Sequence, residues 1–410
     1  MVKASFFNIV RFSALSACVL VGAFIYWSLM YLKPRMPSEV VLERKTEQRH
    51  VIFVKVHKAA SSTVQNIMLR FSLARDLNVL LPLDARNHLN DAGSQILPHL
   101  VVPHPTGGRF DIMCDHVIFD ESIIAPYFPE DAVRVAIVRD PLQQTLSALT
   151  YFTHVFQKPE LKAGLDRYRD APLEGFLGHP EQFYDPSQGA ARSYINNRMS
   201  VDLGFDLRDF ETSKKNISKI RAFLDKLEKQ FDLILIADYF DESMVLLRRI
   251  LNWGMKDVMY LEVNTAAGND KGFQDSNLNQ RPFLNSTTML AFRNWAAIDY
   301  ALYNHFLTVF LNKIEKEELF QEEVNAFRQA RDSIAKFCVQ VIAPLPAHNR
   351  SISIAETQWT DAFSVLESDC KLMAKREVDL MALAIENQKA RIKTSKGDTS
   401  LVSKNDQQSL

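Results

Sequence analysis

Lys55-Val56-His57-Lys58-Ala59-Ala60-Ser61-Ser62-Thr63 sets two lysines and a histidine at the exit of an apolar run. Three hydroxyl residues then open a helical pattern, Val64 to Arg70. Main-chain N–H groups at a helix N-terminus attract phosphate, hydroxyls add donors, and a lysine alongside supplies compact positive charge. Ser61, Ser62 and Thr63 are also good cap residues, so capping is expected beside any anion contact. The loop has no glycine and the G-x-x-x-x-G-K-[ST] pattern is missing, which speaks against an ordinary ATP or GTP hydrolase.

A second constellation follows Val133 to Val138, where Arg139-Asp140-Pro141 leads into a helical stretch carrying Ser147. Proline is tolerated in a helix's first turn because its missing N–H had no partner there. An arginine fork plus a hydroxyl suits a second phosphate, with a local Arg139–Asp140 ion pair as the alternative. His57 and His116 both stand just beyond strand candidates, and histidine accepts a proton near neutral pH. Either is a candidate base. No metal-ligand cluster is apparent, so no metal is expected.

The elements that must position these residues alternate. Strand candidates are Val51 to Val56, Phe110 to Met113, Val133 to Val138 and Phe231 to Ala237; helical patterns cover Pro141 to Phe152, Ser218 to Gln230 and Glu242 to Trp253. Such alternation predicts an α/β fold with a P-loop-like central parallel sheet flanked by helices. Ligands of open α/β sheets bind beyond the carboxyl ends of the strands, where both motifs fall. The C-terminal part, Thr287 to Lys316 and then Glu317 to Cys338, reads as helical. Residues 394–410 are polar and are expected to be a disordered tail. No internal repeat is apparent.

The chain has 410 residues, 47% apolar and 24% charged, with a net charge of −1. That balance is globular and gives no reason to expect nucleic acid, so any anion site must be local. Phe12 to Leu32 carries no charge over about 20 positions, the length of a membrane-crossing helix. It is too long for a cleaved signal peptide and lacks a small-x-small site, so an uncleaved anchor at 12–32 is expected, followed by a stem at 33–50. Charge counting leaves its orientation open, with Lys3 and Arg11 before the span and Lys33, Arg35, Arg44 and Lys45 after it. Asn216, Asn285 and Asn349 head N-x-[ST] sequons. Cys338 and Cys370 flank one C-terminal segment and are the expected disulfide, whereas Cys114 lies in an apolar run and is expected to stay a buried thiol.

K-x-H-K-x-[AG]-S-S-T after one strand, and [VI]-x-R-D-P with a later serine after another, resemble the galactose 3-O-sulfotransferase family, which includes the enzyme that sulfates galactosylceramide. Further similar stretches occur in the same order: Cys114-Asp115-His116, Tyr184-Asp185-Pro186, Asp202-Leu203-Gly204, Asp238 to Ser243, and Asn294-Trp295 through Asp299, Tyr303, His305 and Phe306.

The resemblance implies a single-pass type II Golgi membrane protein with a cytoplasmic tail at 1–11 and a lumenal sulfotransferase domain at 51–393. It implies 3′-phosphoadenosine 5′-phosphosulfate (PAPS) as co-substrate and a galactose-containing glycolipid or glycoprotein as acceptor, sulfated at the 3-hydroxyl. Lys55, Lys58, Ser61, Ser62 and Thr63 carry over to the 5′-phosphosulfate, and Arg139 and Ser147 to the 3′-phosphate. His57 or His116 would be the base, and Lys55 or Lys58 would stabilise the leaving oxygen. The sequence departs from the family pattern at Val56 and Ala59, where hydroxyls are usual, and around Asn196 to Val201. Those departures weaken the expected donor affinity and bear on acceptor choice. A different acceptor hydroxyl, a catalytically silent glycan- or nucleotide-binding glycoprotein, and a nucleotide kinase-like enzyme are the competing readings.

Overall fold

A computed structural model of the chain describes residues 46–405 apart from 84–87, 90–94, 155–158, 169, 186, 188–191, 207–209, 214, 263–284 and 343–349. The expected anchor at 12–32 and sequon Asn349 lie outside the described residues. Among the described residues no helix is long and apolar enough to cross a membrane.

Four β-branched or aliphatic segments form the parallel sheet at the centre: β1 (Val51–Val54), β2 (Ile112–Met113), β3 (Val133–Val138) and β4 (Leu233–Ile236), in the order β2-β1-β3-β4. Every residue of β1 and β4 is buried, as expected of strands covered on both faces. β1 pairs with β2 on one side and with β3 on the other. The chain therefore leaves β1 toward one edge and later crosses to the opposite edge. That reversal opens a crevice between the carboxyl ends of β1 and β3, the ligand position of open α/β sheets.

Helix α1 (Ser61–Ala74) follows β1, α2 (Pro141–His154) follows β3, and α5 (Phe240–Leu251) follows β4, with α4 (Ile217–Gln230) leading into β4 and the short α3 (Arg198–Asp202) before it. Asn216, exposed in sequence before α4, caps it by accepting from Lys219 N at 3.1 Å. Asn285 likewise caps α6 (Ser286–Trp295), accepting from Thr288 N at 2.8 Å, while its Nδ2 donates to Glu174 at 3.0 Å.

The helical run read from Thr287 to Lys316 is broken at Ala296 into α6 and α7 (Ala297–Glu315). The break is tertiary in origin. The buried amide of Asn197 donates to Trp295 O at 2.9 Å and accepts from Ile298 N and Asp299 N at 2.9 and 3.0 Å, filling the gap in the helical ladder. Asp299 reciprocates by accepting from Ser200 N at 2.8 Å and Ser200 Oγ at 2.6 Å.

After α8 (Phe320–Ile342) come the antiparallel pair β5 (Ser351–Ile354) and β6 (Phe363–Leu366), α9 (Glu367–Met373) and α10 (Glu377–Asn405). Cys338 and Cys370 form a disulfide that ties α8 to α9, with Cα atoms 5.2 Å apart, and Cys114 is a buried free thiol. Two boundaries differ from the sequence reading. The compact unit starts at Glu47, because Gln48 N donates to Leu251 O at 2.9 Å and Trp253 Nε1 donates to Gln48 O at 2.8 Å. Helix α10 runs on to Asn405 through the segment expected to be disordered, since extending a helix from a docked first half costs far less than nucleating one.

Candidate active site

The β1–α1 loop turns sharply without glycine. Lys58 and Ala60 take left-handed backbone conformations, φ 60° and 61°, each costing about 1–3 kcal/mol where no glycine relieves it. Ala60 is the N-cap of α1 and supplies no side-chain hydrogen bond. The expected capping by Ser61, Ser62 and Thr63 is therefore absent. Ser61 Oγ instead donates to Val56 O at 2.6 Å, stitching the loop closed, and Ser62 Oγ donates to Glu377. The first main-chain N–H groups of α1 keep their positive end toward the crevice.

Lys55 is 1% exposed, and its Nζ lies 2.7 Å from Glu377 Oε1. The contact is a charge contact without a well-directed hydrogen bond. Lys58 Nζ sits 3.8 Å over the ring of Tyr151 on α2. Burial, with Arg139 and Lys55 nearby, pushes Lys58 down to about 8 against the opposing pull of Glu377. Ser147 stands one turn before Tyr151 on the same face of α2. Arg139 Nη1 donates to Lys58 O at 3.3 Å, so the two strand-tip loops meet. Asp140 does not close its own turn with Arg139; it accepts from Gln143 N at 3.0 Å and thereby caps α2. Lys58, Arg139 and the α1 N-terminus thus meet at the two strand tips, with Lys55 buried against Glu377, in a chain whose net charge is −1.

His57 and His116 are brought together as stacked rings, centroids 3.7 Å apart and 16° from parallel. His116 Nδ1 lies 2.8 Å from Lys55 O. A carbonyl only accepts, so Nδ1 carries the proton and Nε2 is left bare. His57 Nδ1 lies 2.9 Å from Asp202 Oδ2, and His57 N donates to the same oxygen at 2.8 Å. Arg198 Nη2 donates to the other oxygen, Oδ1, at 2.6 Å. Burial first, then surrounding positive charge, holds both imidazoles well below their ordinary range, so both are neutral bases at pH 7. His88 extends the stack, 5.1 Å from His116.

Asp202, Arg198, Tyr151, His88 and Glu377 are site neighbours that reading the sequence did not single out for chemistry. Two of them carried a signal, Arg198 within Asn196 to Val201 and Asp202 as part of Asp202-Leu203-Gly204. Gly204 is required there: its φ is +85° and a Cβ would fall 2.2 Å from Phe119 O. Asn196 to Asp202 are all buried, so the stretch linked to acceptor choice is a brace that presents Arg198 and Asp202 to His57. Val56 and Ala59 are also fully buried in the apolar core, so a hydroxyl at either position would meet core packing. Among the described residues no group of three or more His, Cys, Asp or Glu side chains could hold a metal ion.

The sequence matches the family model described as Galactose-3-O-sulfotransferase over residues 1–358. It is 32% identical to galactose-3-O-sulfotransferase 2 of Sus scrofa over 338 residues, 81% of this chain and 78% of that one. The human protein of the same name is 31% identical over 310 residues, covering 73% of this chain and 71% of its own. Galactosylceramide sulfotransferase of Mus musculus is 31% identical over 294 residues, covering 71% and 64%.

Proposed function

From the premise that this chain belongs to the galactose-3-O-sulfotransferase family and is a carbohydrate sulfotransferase, we propose that it moves a sulfuryl group from PAPS to the 3-hydroxyl of a galactose on a glycolipid or glycoprotein. The observation that carries the reading is the joining of Arg139 to the Lys58 carbonyl, which makes one crevice of two cationic loops. A donor with phosphate at both ends of one nucleoside suits that spacing of charge. Lys55, Lys58, the main-chain donors of Ser61 and Ser62 and the Thr63 hydroxyl would hold the 5′-phosphosulfate, Thr63 N being bonded to Ala60 O at 3.2 Å, and Arg139 with Ser147 the 3′-phosphate.

The chemistry follows from groups already oriented. His57 Nε2 takes the proton of the sugar hydroxyl while that oxygen attacks sulfur in line. The bond from sulfur to the bridging oxygen breaks, and its electron pair stays on the departing 5′-phosphate, where Lys55 and Lys58 stabilise the charge. Products are the sulfated sugar, 3′-phosphoadenosine 5′-phosphate (PAP) and a proton on His57. Asp202 holds His57 with Nδ1 as donor and stabilises the imidazolium, which favours His57 over His116 as the base.

The uncharged run at 12–32 supports a single membrane span, and family membership supports its type II orientation in the Golgi with the catalytic body in the lumen. Incubating the lumenal body with sulfur-labelled PAPS and a panel of galactose-terminated glycans, then mapping product linkage, tests donor and acceptor together. Label at the 3-hydroxyl of galactose is the expected product. No transfer to any acceptor, or linkage at another position, overturns the corresponding half of the reading.

A further inference from the structure

The C-terminal segment after residue 358 lies beyond the family match, yet it is built into the body beside the crevice. Leu380, Met381, Ala384 and Ile385 of α10 are buried; Gln388 Oε1 accepts from Val79 N at 2.9 Å and Arg391 Nη2 donates to Leu77 O at 2.8 Å. At the α9 end, Asn66 Nδ2 on α1 donates to Leu372 O at 3.1 Å. This docking delivers Glu377, in the first turn of α10, to Lys55 and Ser62.

We propose that Glu377 is a positioning residue of the donor cradle: its carboxylate fixes the Lys55 ammonium and the Ser62 hydroxyl, so the C-terminal segment completes the site that α1 begins. The inference rests on the donor reading given above. Two observations distinguish a positioning group from a carboxylate squatting where phosphate should bind. Glu377 takes the Ser62 hydroxyl and leaves the main-chain N–H groups of Ser61 and Ser62 to the donor, while Thr63 N is already bonded to Ala60 O at 3.2 Å. Glu377 also acts on Lys55 and Lys58, whereas the carboxylates beside Arg139 are Asp238 and Asp140, so Glu377 does not neutralise the arginine wall of the crevice.

A lysine as buried as Lys55 loses its proton readily unless an anion holds it. The groups facing it are Glu377 from α10, Asp115 and Cys114 from the end of β2, the Lys58 ammonium, and the neutral imidazoles of His57 and His116. Burial pushes Asp115 up to about 7, and it accepts from Gln65 Nε2 at 2.6 Å, so it is a weaker counter-charge than Glu377. Glu377 in turn faces Lys55, Lys58 and Ser62, with Tyr151 in its field, and stays ionised below the usual carboxylate range.

The test is calorimetric titration of PAP into the parent, Glu377→Gln and Glu377→Asp proteins between pH 6 and 9, with thermal unfolding as the control. Glu377→Gln should bind PAP about ten-fold more weakly, from lost charge-assisted contacts, and its affinity should begin to fall at a lower pH than the parent's. Glu377→Asp, which keeps the charge, should recover part of both properties even if Glu377→Gln folds poorly. Unchanged affinity and pH dependence in Glu377→Gln would leave Glu377 merely structural and overturn the proposal. Tighter binding would overturn it differently, by making the carboxylate a competitor. A parent that binds no PAP sinks the donor reading itself, which separates the two failures.

Discussion

Arg139 Nη1 donates to the backbone carbonyl of Lys58 at 3.3 Å, joining the tip of β3 to the tip of β1. On the proposed reading neither loop alone would make a nucleotide site. Together they set an arginine and a strained, lysine-bearing loop on the two walls of one crevice, with Tyr151 between Lys58 and the helix that carries Ser147.

Lys58→Ala and Arg139→Ala should each weaken PAP binding. A hydrogen bond to a charged group contributes about 1.5–3 kcal/mol, so each loss should be roughly 10- to 100-fold. Calorimetric titration at fixed salt measures it, since contacts between exposed charges are screened. Parent affinity in both variants would remove the crevice from the donor site.

The affinity should also depend on pH through Lys58, held near 8 by burial. Its charged form attracts the anion and predominates below that value. Donor affinity should therefore be level at pH 6 to 7 and decline as pH rises through about 8, with bound anion moving the decline upward. Lys58→Arg keeps its charge across this window and should flatten Lys58's share of the decline. An arginine variant with an undiminished decline would assign the titration to another group.

Replacing His57 by alanine should lower turnover by about 10²- to 10⁴-fold, the usual contribution of a general base, while PAP still binds. Asp202→Asn should lower turnover too, because the amide cannot stabilise the imidazolium. His116→Ala, which removes a stacked neighbour, should cost less. Single-turnover assays at saturating PAPS rank the three variants. A ranking with His116→Ala as the most damaged would move the base to that ring.

Opening the Cys338–Cys370 bridge should destabilise the body, because the bond closes a segment of sequence separation 32. The chain-entropy relation gives about 3–4 kcal/mol for a loop of that size. Cys338→Ala with Cys370→Ala should lower the thermal midpoint accordingly and weaken PAP binding, since α9 leads directly into the turn that bears Glu377. Denaturation with and without reductant, compared with the double variant, provides the measurement.

Local sequence was enough for the sheet and for the two cationic loops at its strand ends. Val51 to Val54 is buried throughout and Val133 to Val138 from Val135 onward, so both read as parallel strands, with lysine, arginine and hydroxyl residues at their exits. Capping by the serine hydroxyls does not occur because hydroxyls near a helix start can bond elsewhere. Ser61 turns back to Val56 O and Ser62 reaches Glu377.

What the sequence by itself determined was the order of elements and the placing of two lysine- and arginine-bearing loops at strand ends, because both follow from periodicity and residue type within a few residues. Only the tertiary structure decided which histidine has an acidic partner, why the long C-terminal helix breaks at Ala296, and that Glu377 belongs beside Lys55. Asp202, Asn197 and Glu377 act on residues far away in the chain. A polar side chain carries no local mark of the partner it will meet, since that partner is set by how buried faces pack and by the need to satisfy every buried polar group.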